Sequence, residues 1–141
     1  MQEGKFSRTA LRVALRRAAH QVLDRPLILD DPFAIRIIGA EEASKLPHDS
    51  KLEDAAARGM RAFMAVRSRF AEDELAKAIA SGTNQYVVLG AGLDTFACRN
   101  PHVGLRVFEV DHPATQQWKR ETRKESSRAS HRGSRPIIIG V

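Results

Sequence analysis

Apolar residues recur at helical spacing along the first eighty positions and then gather, from Gln85 onward, into short unbroken runs. Leu11, Leu15, Ala18 and Val22 fall at i, i+4, i+7 and i+11, so residues 7–22 read as one amphipathic helix. Arg8, Arg12 and Arg16 repeat at i+4 on another of its faces. In Asp30-Asp31-Pro32, Asp31 is placed as an N-cap and Pro32 as the first helical residue, where a missing N–H costs nothing. A short helix over 33–38 then stops at Gly39. Ser50-Lys51-Leu52-Glu53 has the capping-box form, which predicts a new helix start there. Phe63, Val66 and Phe70 predict a core-facing stripe on it, with Gly59 a weak point. Residues 72–80 are also helical, ending at Ser81-Gly82.

The later runs are strands. Tyr86-Val87-Val88-Leu89 is rich in β-formers and bounded by turn residues, which predicts a strand buried on both faces. Residues 105–110 form a second such run, ending at Asp111, and 136–141 a third. Pro113 opens a helix between the last two. The alternation is that of βαβ units, so the predicted class is α/β with a parallel sheet. The organisation predicted is a helical cap over residues 1–82 and the first part of a ligand-binding α/β domain over 83–141, truncated after about the third strand.

Charge refines this picture at one place. Seven basic residues between Lys119 and Arg135 against two acids account for five of the six net positive charges. Such a segment is either a solvated helix end and linker or a phosphate-binding patch. No aromatic residue interleaves with its charges, so it lacks a stacking platform for bases and no nucleic-acid partner is expected. No apolar run approaches the roughly 20 residues of a membrane span, so no membrane partner is expected either. The N-terminus has no apolar segment of a secretory signal, and a single cysteine, Cys98, suits a reducing cytoplasm. None of the five histidines has metal-ligand spacing, and no metal is expected.

The candidate chemistry lies between the first two strands. Gly90-Ala91-Gly92 comes directly after the first, where glycine permits unusual backbone angles and close approach of a ligand. Asp111 lies nineteen residues beyond Gly92 at the end of the second strand. A carboxylate so placed can accept hydrogen bonds from both ribose hydroxyls of an adenosine; the competing role is a helix cap before Pro113. The dinucleotide pattern G-x-G-x-x-G fails at Thr95, which disfavours a ligand with a pyrophosphate and points to an adenosine ligand without one, of which S-adenosylmethionine is an example. Glu109 shares the strand face of Asp111 but should sit deeper. Arg67 and Arg69 read as two solvated arginines, or one of them as a bidentate partner for a ligand carboxylate. Residues two apart on a helix lie about 200° apart around its axis, so both cannot serve.

Together these passages resemble the leucine carboxyl methyltransferase family, and more closely its largely uncharacterised bacterial branch of S-adenosylmethionine-dependent methyltransferases. The resemblance rests on Thr9-Ala10-Leu11, Asp30-Asp31-Pro32-Phe33-Ala34, Val66-Arg67-Ser68-Arg69-Phe70, Val88-Leu89-Gly90-Ala91-Gly92-Leu93-Asp94-Thr95 and Phe108-Glu109-Val110-Asp111-His112-Pro113. It implies a class I methyltransferase (Rossmann-like) sheet behind an N-terminal helical cap. It implies that Arg67 meets the carboxylate of S-adenosylmethionine, that Gly90, in a loop with Gly92, lies under the methionine part, and that Asp111 holds the ribose. The implied reaction is methylation of an oxygen, a carboxylate or hydroxyl of a small molecule. The family places an acidic pair and substrate-facing residues beyond the third strand, positions this sequence does not contain. A non-catalytic remnant is therefore the first alternative and a nicotinamide-dinucleotide module the second. Methyl transfer from a sulfonium needs no covalent catalysis, and no catalytic base is named.

Overall fold

The computed structural model describes residues 7–127 and 137–140. Helix α1 spans Arg8–Leu23 and is capped by Ser7, whose hydroxyl accepts from the Ala10 N–H at 3.2 Å. Helix α2, Pro32–Ile38, starts as the sequence predicts, with the Asp31 carboxylate accepting from the Ala34 N–H at 3.2 Å and Pro32 in its first turn. Gly39 ends it at φ 85°. A further short helix not predicted, α3 (Ala40–Lys45), comes next.

The capping box at Ser50 does not start a helix. Ser50–Leu52 is a single 3-10 turn, and the long helix α4, Ala55–Ala80, begins one turn later. Its cap is Asp54, whose carboxylate accepts from the Ala57 N–H at 2.7 Å. The alanine run behind Asp54 has the highest helix propensity in the segment, which favours this start over Ser50. Helix α4 is continuous through Gly59 and through residues 70–72.

The stripe expected to face the core does not. Phe63, Val66 and Phe70 are 54%, 51% and 65% exposed, while Arg61, Ala65 and Leu75 make the buried face. Arg61 wins its place by chemistry: its guanidinium donates to Asp24 Oδ1 at 2.8 Å and Oδ2 at 3.0 Å, joining α4 to the end of α1. Arg61 holds the Asp24 carboxyl below the ordinary aspartate range, with burial opposing and His20 adding to the shift.

The strands are β1 (Gln85–Leu89), β2 (Arg106–Asp111) and β3 (Ile137–Gly140), all parallel, in the order β1-β2-β3. Leu89 registers with Val110, so the ends of the first two strands lie side by side. The short helix α5 (Phe96–Arg99) and helix α6 (Pro113–Ser127) connect the strands. The fold is thus a Rossmann-like α/β arrangement with an N-terminal helical region.

Two apolar clusters hold it. In the first, Ala14, Ala18 and Ala19 of α1 meet Ala34, Ile37 and Ile38 of α2, and Leu93 and Trp118 pack against the same cluster. Small alanines let the helices approach closely, and Leu93 brings the loop after β1 into the helical core. In the second, Leu75 of α4 covers Val107, Phe96 and Leu105, with Tyr86 edge-on to Phe96 at 5.3 Å between ring centres. Among the described residues, one face of β1 is covered: Tyr86 and Val88 point to this cluster, while Val87 and Leu89 are 52% and 77% exposed. The expectation of a strand buried on both faces is corrected accordingly. Lys119, counted above with the basic segment, is completely buried against Glu109 and takes no part in a charged surface. Residues 128–135 of that segment lie outside the described residues.

Candidate functional site

The loop after β1 turns sharply because Gly90 and Gly92 both adopt positive φ, 62° and 50°. The Ala91 N–H between them donates to the Val110 carbonyl at 3.1 Å, carrying the loop over the end of β2. There the Asp111 carboxylate meets it: Oδ2 accepts from the Gly92 N–H at 2.5 Å and Oδ1 from the His112 N–H at 2.6 Å. Each oxygen keeps further lone-pair capacity for a ligand.

The two glycines have different surroundings. A Cβ on Gly90 would meet nothing within 4 Å, whereas one on Gly92 would lie 3.1 Å from the Ala10 Cβ of α1. Gly90 therefore presents bare backbone to open space, and Gly92 lets α1 close on the loop. Alanine at either position carries a left-handed backbone cost of about 1–2 kcal/mol. The expected outcome is that Gly92→Ala lowers the melting temperature more than Gly90→Ala, because only the former also pushes on α1. Equal losses in a paired thermal-denaturation experiment would contradict this division.

A cavity of about 410 Å³ opens at this place, a size ordinary for a small-molecule ligand. Its floor is the glycine loop with Asp111; its sides are the start of α1 (Ser7, Thr9) and the α4 residues Met64, Arg67 and Ser68. Arg67 lines the cavity, and its guanidinium stands 6.0 Å from the centre of the Phe63 ring. Arg69 is turned away and pairs with Asp73 at 2.9 Å on the outer surface. Of the arginine pair, then, only Arg67 shares a cavity with Gly90, Gly92 and Asp111.

Beneath the loop lies a buried polar network that sequence reasoning missed. Arg17 of α1 donates through Nη2 to Asp31 Oδ2 at 2.5 Å and to the Thr95 hydroxyl, and through Nη1 to Asp94 Oδ2 at 3.2 Å. Thr95 in turn donates to Asp31 Oδ2 at 2.6 Å. Asp94 Oδ1 accepts from the Phe96 N–H at 2.8 Å, the first turn of α5. Burial pushes the Asp94 carboxyl up, but Arg17, Lys119, the Phe96 N–H and Arg99 outweigh it and hold it below the ordinary range. Thr95, the residue that breaks the dinucleotide pattern, is thus a completely enclosed partner of Asp31, so the loop closes on side-chain hydrogen bonds. The signal available in the sequence was Arg17 itself, a charge set among Ala14, Ala18 and Ala19 on the buried side of α1.

Other candidates fall into place. Glu109 lies deeper than Asp111, as expected, and accepts from Lys119 Nζ at 2.7 Å with neither side chain exposed. The capping role weighed for Asp111 belongs to His112, whose Nδ1 accepts from the Ala114 N–H of α6 at 3.2 Å. Trp118 packs on the α1–α2 core and is not part of the cavity wall. Cys98 is half-buried on α5. Among the described residues, no cluster of His, Cys, Asp and Glu is placed to hold a metal ion, and no helix is long and apolar enough to cross a membrane.

The arrangement sets a cation, an open stretch of backbone and a carboxylate around one cavity. That set fits a ligand with a carboxylate and a pair of vicinal hydroxyls, and S-adenosylmethionine has both. Comparison with known proteins identifies the family. The model of the leucine carboxyl methyltransferase family matches residues 10–139. The chain is 35% identical over 150 residues to "Putative S-adenosyl-L-methionine-dependent methyltransferase YktD" of Bacillus subtilis, covering 90% of this chain and 49% of that protein. Relatives with the same description in Saccharopolyspora erythraea and Mycolicibacterium smegmatis are 42% and 39% identical, each over 79% of this chain and 39% and 40% of their own length. The chain thus spans about half or less of these relatives. With the matched model running almost end to end and the glycine loop, Arg67 and Asp111 around one cavity, the chain belongs to the leucine carboxyl methyltransferase family.

Proposed function

We propose that this chain supplies the S-adenosylmethionine-binding part of a methyltransferase that acts on an oxygen of a small molecule, a carboxylate or a hydroxyl. The observation that carries the reading is the convergence of Arg67, Gly90 and Asp111 on one cavity. Arg67 pairs with the cofactor carboxylate as a two-pronged donor. Gly90, with open space over its backbone, admits the methionine part. Asp111, already oriented by two backbone N–H groups, accepts from the ribose hydroxyls. Bound there, S-adenosylmethionine would supply an electrophilic methyl on its sulfonium for an acceptor oxygen. The residues named would bind and orient the cofactor. The single cysteine, Cys98, supports a reducing cytoplasm as its compartment. A dinucleotide is disfavoured because Thr95 is engaged with Asp31 where a glycine would have to pack.

The test separates the two ends of the ligand. S-adenosylhomocysteine and 5′-methylthioadenosine share the adenosine, but only the former has the amino-acid carboxylate. Arg67→Gln is expected to weaken S-adenosylhomocysteine roughly 10–100-fold, the range of a lost charge-assisted contact, and to leave methylthioadenosine unchanged. Asp111→Ala is expected to weaken both. Calorimetric or NMR titration of the unaltered chain and the two variants with each ligand reads the six affinities. Equal binding of S-adenosylhomocysteine by Arg67→Gln and the unaltered chain would remove Arg67 from the site.

A further inference from the structure

The polar network under the glycine loop does not balance its charge, and its unmatched end opens into the cavity. Arg17 and Arg99 are its cations. Arg17 pairs with Asp31 at 2.5 Å and with Asp94 at 3.2 Å. Arg99 stands 3.3 Å from Asp31 Oδ1 and grips Glu72 through both terminal nitrogens. Among the described residues, two guanidiniums therefore face three carboxylates. The nearby Lys119–Glu109 pair is one-to-one and leaves that surplus standing. Of the three carboxylates, Asp31 has no exposure and Glu72 does not line the cavity, whereas the Asp94 side chain is 28% exposed and lines it together with Arg67 and Asp111. Asp94 is ionised there: despite its burial, Arg17 and the neighbouring cations hold its carboxyl below the ordinary range. Capping α5 occupies Oδ1, which accepts from the Phe96 N–H at 2.8 Å. Oδ2 has only the Arg17 contact at 3.2 Å, long for a charge-assisted bond, and keeps capacity for a stronger donor.

We infer that Asp94 receives the α-ammonium of the ligand's amino-acid end, and so makes the cavity selective for an intact amino acid over a plain carboxylate. The contact presupposes the S-adenosylmethionine reading of this cavity and adds to it a residue for which that reading has no use. Arg67 answers a carboxylate and Asp111 answers neutral ribose hydroxyls, which leaves one charge of the ligand and one charge of the site unmatched. An α-amino acid carries its carboxylate and its ammonium on the same carbon, and Arg67 and Asp94 offer the two complementary charges from opposite walls, α4 and the end of the glycine loop. A cation at Asp94 also brings the network beneath the loop to balance, since Asp94 and Asp31 share Arg17. Charge selection of this kind needs a partly desolvated carboxylate fixed before the ligand arrives, and the Phe96 N–H and Arg17 fix this one.

The probes are S-adenosylhomocysteine and its deamino analogue, in which hydrogen replaces the amino group while adenosine, thioether and carboxylate remain. Each is titrated at neutral pH into the unaltered chain, Asp94→Asn and Arg67→Gln, by calorimetry or NMR. The unaltered chain is expected to prefer S-adenosylhomocysteine about 10–100-fold, the range of a hydrogen bond to a charged group. Asp94→Asn keeps an oxygen for the Phe96 N–H and removes the charge. It should weaken S-adenosylhomocysteine by a similar factor, leave the deamino analogue unchanged and so erase the preference. Arg67→Gln should weaken both compounds and keep the preference. The comparison within the unaltered chain needs no substitution, so it decides the matter even if Asp94→Asn fails to fold. Equal affinity of the unaltered chain for the two compounds would overturn the role of Asp94, and would leave the cavity reading in place if Arg67→Gln still weakened both. Equal weakening of both compounds by Asp94→Asn would overturn it too, since the side chain would then act through the shape of the loop and not on the ammonium. Binding of neither compound would overturn the cavity reading and the role of Asp94 together.

Discussion

Arg17→Met is expected to be the most damaging single substitution in this chain, removing most of its resistance to urea. Arg17 is 5% exposed and its main partner, Asp31, is fully enclosed. Loss of the guanidinium leaves Asp31 Oδ2 accepting from Thr95 alone, with the Arg99 Nε at 3.3 Å from Oδ1 as its remaining cation, and takes one charged partner from Asp94. Breaking a buried pair by removing one member costs about 3–5 kcal/mol, against a total stability of about 5–15 kcal/mol for an ordinary domain. Arg17→Lys should recover little, since one ammonium cannot reach Asp31, Asp94 and Thr95 together. The damage should also be directional. Arg17 joins α1 to Asp31 ahead of α2 and to the end of the glycine loop, so hydrogen exchange at residues 90–96 should rise before that at β2. Urea denaturation followed by circular dichroism reads the first effect. An unmoved midpoint for Arg17→Met would mean that the network is not holding the loop.

The second large effect concerns Lys119 and Glu109, 2.7 Å apart with no exposure on either side chain. Lys119→Met alone leaves Glu109 behind the site without its ammonium partner, and a loss of about 3–5 kcal/mol is expected. Replacing both, Lys119→Met with Glu109→Leu, should return much of that loss, because two apolar side chains carry no desolvation penalty. The four proteins of this cycle give the coupling directly. If the double substitution is as unstable as the single one, the pair contributes through its own attraction and not merely by mutual neutralisation. The position matters for function because Glu109 lies two residues before Asp111 on the same face of β2, and Lys119 also helps keep Asp94 ionised.

Local signals in the sequence carry far here because several depend only on neighbours in the chain. Asp31-Pro32 and Gly39 bracket α2, and the strand–glycine–strand order places Asp111 beside the loop. The separation of Arg67 from Arg69 comes from helical geometry alone. The misses have a different origin. Phe63, Val66 and Phe70 form a stripe that periodicity assigns to a core, but periodicity does not say which core, and the face that packs on α1 is chosen by Arg61 and its bond to Asp24. Ser50 and Asp54 compete as caps, and the alanine run directly after Asp54 decides between them. Arg17 and Thr95 are invisible as partners because their contacts join elements far apart in sequence, and no local pattern encodes a pairing of Arg17 with Thr95 across 78 positions.

The central claim is that the cavity between α1, α4 and the Gly90–Gly92 loop is the S-adenosylmethionine site. Its most direct test is a ¹H–¹⁵N NMR titration of residues 1–141 with S-adenosylhomocysteine, which registers even weak binding residue by residue. The account predicts that the first resonances to move are the Gly90, Ala91 and Gly92 amides, those of Asp111 and His112, and the Arg67 side chain, and that NAD at the same concentration does not reproduce the pattern. Movement confined to residues away from this cavity, or an equal response of the loop to NAD, would contradict it.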